Sequence, residues 1–219
     1  MRLLALLLSL CFASLSQASE CDLLPPPAVT VKPMEERLIV DTHYNIKELT
    51  FLGSGAAHAG NPVLGLTIGK AIAKFSSALP LYVDRSGRWE CASPQLTLTL
   101  GFSPLTVYVA KEFPAGSCAY NEIYQHEQRH VKAYQAHLAT IGKALNDSLS
   151  RRFAGGGPWH GPVNGLRQRL QDELNERWLP YIEREIAQVD DAQALIDTPE
   201  EYARVSESCN GEIKKQIVR

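Results

Sequence analysis

No stretch of this 219-residue sequence approaches the roughly 20 consecutive apolar residues that a membrane-spanning helix needs. The longest apolar run, Leu3 to Ala13, stops well short of that. Strong charge of either sign is missing too, because 22 basic and 24 acidic residues leave a net charge of −2. Without a basic patch or stripe there is no electrostatic footprint for nucleic acid, and no nucleic-acid partner is expected. The chain has no internal repeats and no low-complexity tracts. No two cysteines stand close together, which argues against a cysteine-rich metal site.

What is present begins with a targeting signal. Met1-Arg2 carries one positive charge, Leu3 to Ala13 is an almost unbroken apolar run, and Ser16-Gln17-Ala18 offers small residues at a cleavage site. The expected mature chain starts near Ser19 and is periplasmic or secreted. There is no lipobox, since Leu10 and Glu20 precede Cys11 and Cys21. Cys11 leaves with the signal, so Cys21, Cys91, Cys118 and Cys209 remain. In an oxidising compartment these predict two disulfides, with three possible pairings.

The pattern then changes along the chain. Residues 19–35 hold Pro25, Pro26, Pro27 and Pro33 and read as an irregular lead-in. Arg37 to Tyr44 is β-like, Lys47 to Leu52 is a candidate short helix, and Gly53 to Pro62 reads as a loop. Leu64 to Val109 predicts a small antiparallel sheet. Within it Leu96, Leu98 and Leu100 alternate with Thr97 and Thr99, and Ser103-Pro104 interrupts a strand. From Tyr120 to Leu149, residues 123, 127, 130, 134, 138, 141, 145 and 149 recur at steps of three and four, one face of a helix. Gly155-Gly156-Gly157-Pro158 predicts a turn, and Val163 to Val189 a second helix, kinked near Trp178 by Pro180. The two helices read as an antiparallel hairpin. Thr198-Pro199-Glu200-Glu201 is a capping box that opens a last short helix. The fold class is α+β: a small antiparallel β-rich N-terminal half packed on a helical half with a long antiparallel helix hairpin.

Chemistry concentrates in His126-Glu127-Gln128-Arg129-His130, an H-E-x-x-H pattern inside the strongly periodic helix. Residues i and i+4 share one helix face, so both imidazoles can reach one zinc ion. Zinc lowers the pKa of a coordinated water to about 7, and Glu127 is the candidate general base beside it. Glu127 also falls near the centre of the stripe that should be buried, where a carboxylate costs several kcal/mol without a partner. The competing readings are a chance pattern, with Glu127 paired to Lys132 or Arg129, and a structural zinc with four protein ligands. Tyr134, one turn after His130, is a possible oxyanion stabiliser, although such a tyrosine is more often core.

The third metal ligand stays open. His137 lies two turns beyond His130, about 10 Å along the axis, too far for the same ion. A hairpin with helices ending near residue 152 and starting near residue 163 sets Gln128 opposite Ala187. That register puts Glu173 and Glu176 about 16–20 Å from the motif. It leaves Glu185 on the apolar stripe, and Glu200 or Glu201 just after the helix returns.

The chain resembles a family of bacterial exported proteins, otherwise unassigned in function, that are predicted to be zinc-dependent proteases. The resemblance runs through His43-Tyr44-Asn45-Ile46, Gly65-Leu66-Thr67, the strands around Cys91, and Cys118-x-Tyr120-x-x-Ile123-x-x-His126-Glu127-x-x-His130-Val131. It ends at Ile196-Asp197-Thr198 and Glu200-Glu201-Tyr202. It implies a zincin-like helical half, with His126 and His130 as ligands and Glu127 as the catalytic base. Better-matched members carry a His shortly after an Asp and a Thr; here an acidic pair follows Asp197-Thr198, which implies a gluzincin-type set with Glu201 favoured over Glu185. A Cys118–Cys209 bridge would tie the two ligand-bearing segments together and leave Cys21–Cys91, with Cys91–Cys118 as the main competitor.

The expected organisation is a signal peptide over 1–18, a β-rich region over 19–115 and a helical metal-binding region over 116–219. The expected activity is that of a Zn2+ metallopeptidase acting on a peptide or protein substrate. A non-catalytic periplasmic adaptor and a cell-wall amidase are the alternatives.

Overall fold

The computed structural model describes residues 20–34, 37–53 and 62–217. The expected signal peptide lies outside the described residues.

The fold is α+β, built on one long strand. Strand β6 (Gln95–Val109) pairs antiparallel with β3 (Gly65–Ala78) along one edge. Along its other edge lie β1 (Ala28–Pro33) and then β2 (Leu38–Asp41), both parallel to it. The sheet is therefore mixed, with the expected antiparallel pair as its spine. Ser103-Pro104 does not end β6. Proline has no N–H to give to the ladder, and the register of β3 shifts between Gly69 and Ala71 opposite this point.

The leucine alternation works as read. Leu96, Leu98 and Leu100 are buried, while Thr97 and Thr99 are only partly covered. Burying each such leucine stabilises the fold by about 1.5–3 kcal/mol, and truncating one to alanine costs about 2–5 kcal/mol. Between β2 and β3, α1 (Ile46–Leu52) opens with a complete capping box from Asn45 and Glu48.

Helix α2 (Cys118–Phe153) packs across the sheet. The Ser117 hydroxyl accepts from the Tyr120 N–H (3.1 Å) and caps its start. The predicted stripe is the buried face: Ile123, Glu127, His130, Tyr134, Ile141, Leu145 and Leu149 are all buried.

The return from α2 differs from the expected plain turn. Residues Trp159–Pro162 form β7, which pairs with β5 (Trp89–Ala92) in a three-stranded sheet with β4 (Leu81–Val83). The helical region thus gives a strand to the N-terminal region. Helix α3 (Leu166–Asp172) then passes into a π-helical turn (Glu173–Trp178) and α4 (Leu179–Ala187). The π turn answers Pro180, whose missing N–H cannot close a bond to the carbonyl one turn earlier. The Leu179 N–H reaches back five residues to Leu174 instead.

This detour corrects the expected hairpin register. Arg152 pairs with Glu173, the His137 ring nitrogen lies 2.8 Å from the Glu185 carbonyl oxygen, and His130 faces Gln193. The partner of the motif thus lies about two turns later in the chain than a simple hairpin predicts. Helix α5 (Val189–Ala194) and α6 (Pro199–Ile217) follow, and α6 runs back toward the start of α2. Two disulfides hold these parts: Cys21–Cys91 (Cα–Cα 6.0 Å) and Cys118–Cys209 (Cα–Cα 5.8 Å). Cys209 sits where α6 is broken by left-handed residues, with φ of 57° at Cys209, 57° at Asn210 and 73° at Gly211. Among the described residues no helix is long and apolar enough to cross a membrane.

Candidate metal centre

The i, i+4 spacing on α2 brings the His126 and His130 Nε2 atoms to 3.2 Å from each other. The turn between α5 and α6 delivers Asp197, whose Oδ1 lies 3.1 Å from His126 Nε2 and 3.2 Å from His130 Nε2. Three potential ligand atoms thus form a nearly equilateral triangle. A tetrahedral ion with ligands at 2.0–2.1 Å would space them by about 3.3–3.4 Å, so the donor set fits a small divalent ion. Two imidazoles and one carboxylate suit zinc and other first-row metals. Only three protein groups converge here among the described residues, and a cavity of about 500 Å³ opens beside them.

Each histidine is held through its other nitrogen. The Gln193 amide N–H donates to the His130 carbonyl (3.3 Å), which fixes the amide so that its oxygen faces His130 Nδ1 at 2.6 Å. Nδ1 is thereby held by Gln193, and Nε2 is the ring nitrogen turned toward Asp197. On His126, Nδ1 lies 3.2 Å from Glu201 Oε1 and 2.7 Å from Arg129 Nη2. Glu201 is itself bonded by Arg129 and by Arg204 (3.0 and 2.8 Å), and Arg204 also donates to Glu122 (2.9 Å). Arg204 and then the other donors hold the Glu201 carboxyl down to about 2. Carboxylate and amide partners of this kind set ring orientation at metal sites.

Glu201 was the expected third ligand, and the geometry corrects that. Its carboxylate sits behind His126, while Asp197 occupies the point where both Nε2 atoms meet. Only half of the expected capping box forms: Thr198 Oγ1 accepts from the Glu201 N–H (3.2 Å), but the Glu201 side chain is committed to the arginines. Glu185 is not at the site either. Its carbonyl meets His137, and its carboxylate accepts from Gln188. Glu200 is exposed.

Glu127 is 3% exposed and lines the cavity. Burial raises its carboxyl above the usual range, against the lowering effect of His130, His126 and the Thr67 hydroxyl. The Thr67 hydroxyl donates to Glu127 Oε2 at 2.7 Å. Strand β3 comes this close because residue 65 is glycine. A Cβ there would lie 2.6 Å from Glu127 Oε1 and 2.7 Å from the Ile123 side chain. Burial by itself would raise the Asp197 carboxyl, but hydrogen bonds from His126 and His130 and their charge take it well below the carboxylate range.

Tyr134 packs edge-on against Phe102 and hydrogen-bonds the Gly69 backbone, so the core reading describes its surroundings. Tyr202 is the tyrosine beside the cluster. Its ring lies 6.4 Å from that of His126, its hydroxyl bonds Asp197, and burial with the nearby negative charge pushes it up to about 12. Asp197, Gln193, Thr67 and Tyr202 received no role from sequence reasoning. Asp197-Thr198 did stand in the resemblance beside the expected third ligand, which is the signal that could have found it. Searches against protein-family models, curated proteins and solved structures find no match for this chain.

Proposed function

We propose that this chain is an exported zinc-dependent metallopeptidase in which His126, His130 and Asp197 hold the metal and Glu127 is the general base. The observation that carries the reading is the triangle of His126 Nε2, His130 Nε2 and Asp197 Oδ1 at 3.1–3.2 Å, with a buried glutamate next to it on a cavity. Three protein ligands with an open side are the arrangement of catalytic rather than structural zinc. Two disulfides are compatible with an oxidising compartment, which supports export. The resemblance to exported bacterial proteins predicted to be zinc proteases is part of the same proposal.

Bound zinc would supply Lewis acidity and an acidified water near neutral pH. The protein's own groups do the rest. Gln193 and Glu201 hold the two imidazoles with Nε2 facing inward. Thr67 fixes one oxygen of Glu127. The Glu127 carboxylate takes a proton from the attacking water and returns it to the leaving nitrogen as the C–N bond breaks. Water adds its oxygen to the carbonyl carbon, so the products are a carboxylic acid and an amine.

Metal analysis of purified protein, with hydrolysis of a fluorogenic peptide library, tests this. One zinc per chain is expected, with turnover abolished by chelator and restored by zinc. Glu127→Gln should keep the metal and lose about 10²–10⁴-fold in rate, the usual contribution of a general base. Retained turnover in Glu127→Gln sinks the mechanism. Zinc without turnover in the unaltered protein makes the chain a binding protein instead.

A further inference from the structure

The cavity beside the cluster has two chemically different ends. His126, Glu127, His130 and Asp197 form the polar end. Val63, Leu64, Ile123, Val205 and Ile217 also line the cavity, and the buried Ile123 and Val205 mark its apolar end. Helices α2 and α6 run antiparallel here, with Cys118 bonded to Cys209, Glu122 to Arg204 and Glu201 beside His126. That register sets Ile123 and Val205 at one level, about one helical turn from the cluster, or about 5 Å along the axis. This is the reach of a side chain on a residue whose backbone is held at the polar end.

Charge narrows the occupant. Among the described residues lining the cavity, Glu127, Asp190 and Asp197 are carboxylates, and none is lysine or arginine. An anionic group in the apolar end would lose its hydration and meet no cationic side chain.

We propose that the apolar end is a specificity pocket for a bulky aliphatic or aromatic side chain of the substrate, next to the bond that is cut, and that it rejects an anionic group there. The proposal rests on the metallopeptidase reading above and names its substrate class. Val205 and Ile123 are its specificity-determining residues.

Binding of three small chelators to the zinc-loaded protein separates the two readings. Acetohydroxamic acid has only the chelating group. 4-Methylpentanohydroxamic acid adds a branched apolar chain, and succinic monohydroxamic acid adds a carboxylate. The branched acid should bind roughly tenfold to hundredfold tighter than acetohydroxamic acid, from the apolar surface it buries. The succinic acid should bind no tighter than acetohydroxamic acid. In Val205→Trp, which fills the pocket, the ratio between the branched and the acetyl compound should fall to near one. Ser206→Trp, on the same wall and partly exposed, should lower the same ratio and guards against a folding defect at Val205. Equal binding of the branched and acetyl compounds, or a ratio that survives both variants, overturns the pocket and leaves the metal reading standing. Failure to take up zinc, or to bind any of the three, removes the metal reading and the pocket with it.

Discussion

Glu127, toward the start of α2, and Glu173, which meets the end of α2 at Arg152, are both buried and are treated in opposite ways. At the far end Glu173 is 8% exposed, and both its oxygens are taken by the Arg152 guanidinium. That guanidinium also lies over the Trp159 ring, 5.1 Å from its centre. At the motif end Glu127 is more deeply buried, yet the hydroxyl that donates to it belongs to the neutral Thr67. An unpaired buried charge costs several kcal/mol, and the Arg152 guanidinium offsets that cost for Glu173. Glu127 instead faces a cavity and two histidines. The contrast marks the near end of the helix as the place where the fold tolerates a cost, and the far end as the place where it removes one.

The largest expected effect tests what Glu127 is buried for. On the proposed metallopeptidase reading Asp197→Ala removes a ligand, so zinc content by elemental analysis should fall from about one per chain toward zero and turnover should vanish. If Asp197→Ala keeps its zinc while Glu201→Gln loses it, Glu201 is the ligand after all and the site has been read backwards. Otherwise Glu201→Gln should keep stoichiometric zinc and weaken its affinity by about 10–100-fold, the usual effect of an outer partner, measurable by chelator competition.

The far end is tested through stability. Arg152→Met strands the Glu173 carboxylate and should cost about 2 kcal/mol or more. This lies below the roughly 3–5 kcal/mol of a fully buried pair because the Arg152 side chain is 35% exposed. In a chain of this size that lowers Tm by roughly 4–8 °C in calorimetry, since each kcal/mol moves Tm by about 2–4 °C. Zinc affinity should not change. A comparable loss of Tm in Glu127→Gln would erase the distinction between the two glutamates. The smallest effect is expected from Thr67→Val, which removes one hydrogen bond to Glu127. Turnover should drop by about tenfold, the worth of one charge-assisted hydrogen bond, with zinc content unchanged.

Much of this was legible because it is local. The stripe from Ile123 to Leu149 turns on the 3.6-residue period, and the alternation from Leu96 to Leu100 on the period of two. Both survive packing because one face of each element must be buried. The spacing of His126 and His130 is local in the same way. Asp197 is a different matter. Its position depends on where the return helices end up, and that depends on β7 and on the π turn. Neither is visible as periodicity: Trp159–Pro162 is too short, and the π turn is a response to Pro180 that a simple kink explained equally well. Eight residues of shifted register then moved Glu185 out of the site and brought in Gln193. Glu201 was seen as a carboxylate in the right segment, but Arg129 and Arg204, from two different helices, decide which way it faces.

The sequence by itself determined that two histidines and a glutamate share one helix face, since covalent spacing and helix geometry leave no alternative. It also set which face of α2 is buried, so Glu127 was placed inside before any neighbour was known. Only the tertiary structure decided what completes the cluster. Asp197 reaches it from a turn that follows two helices, with the same fold laying Gly65 and Thr67 of β3 against Glu127. Those meetings are set by long-range packing, where a strand inserted in a connection changes every later register.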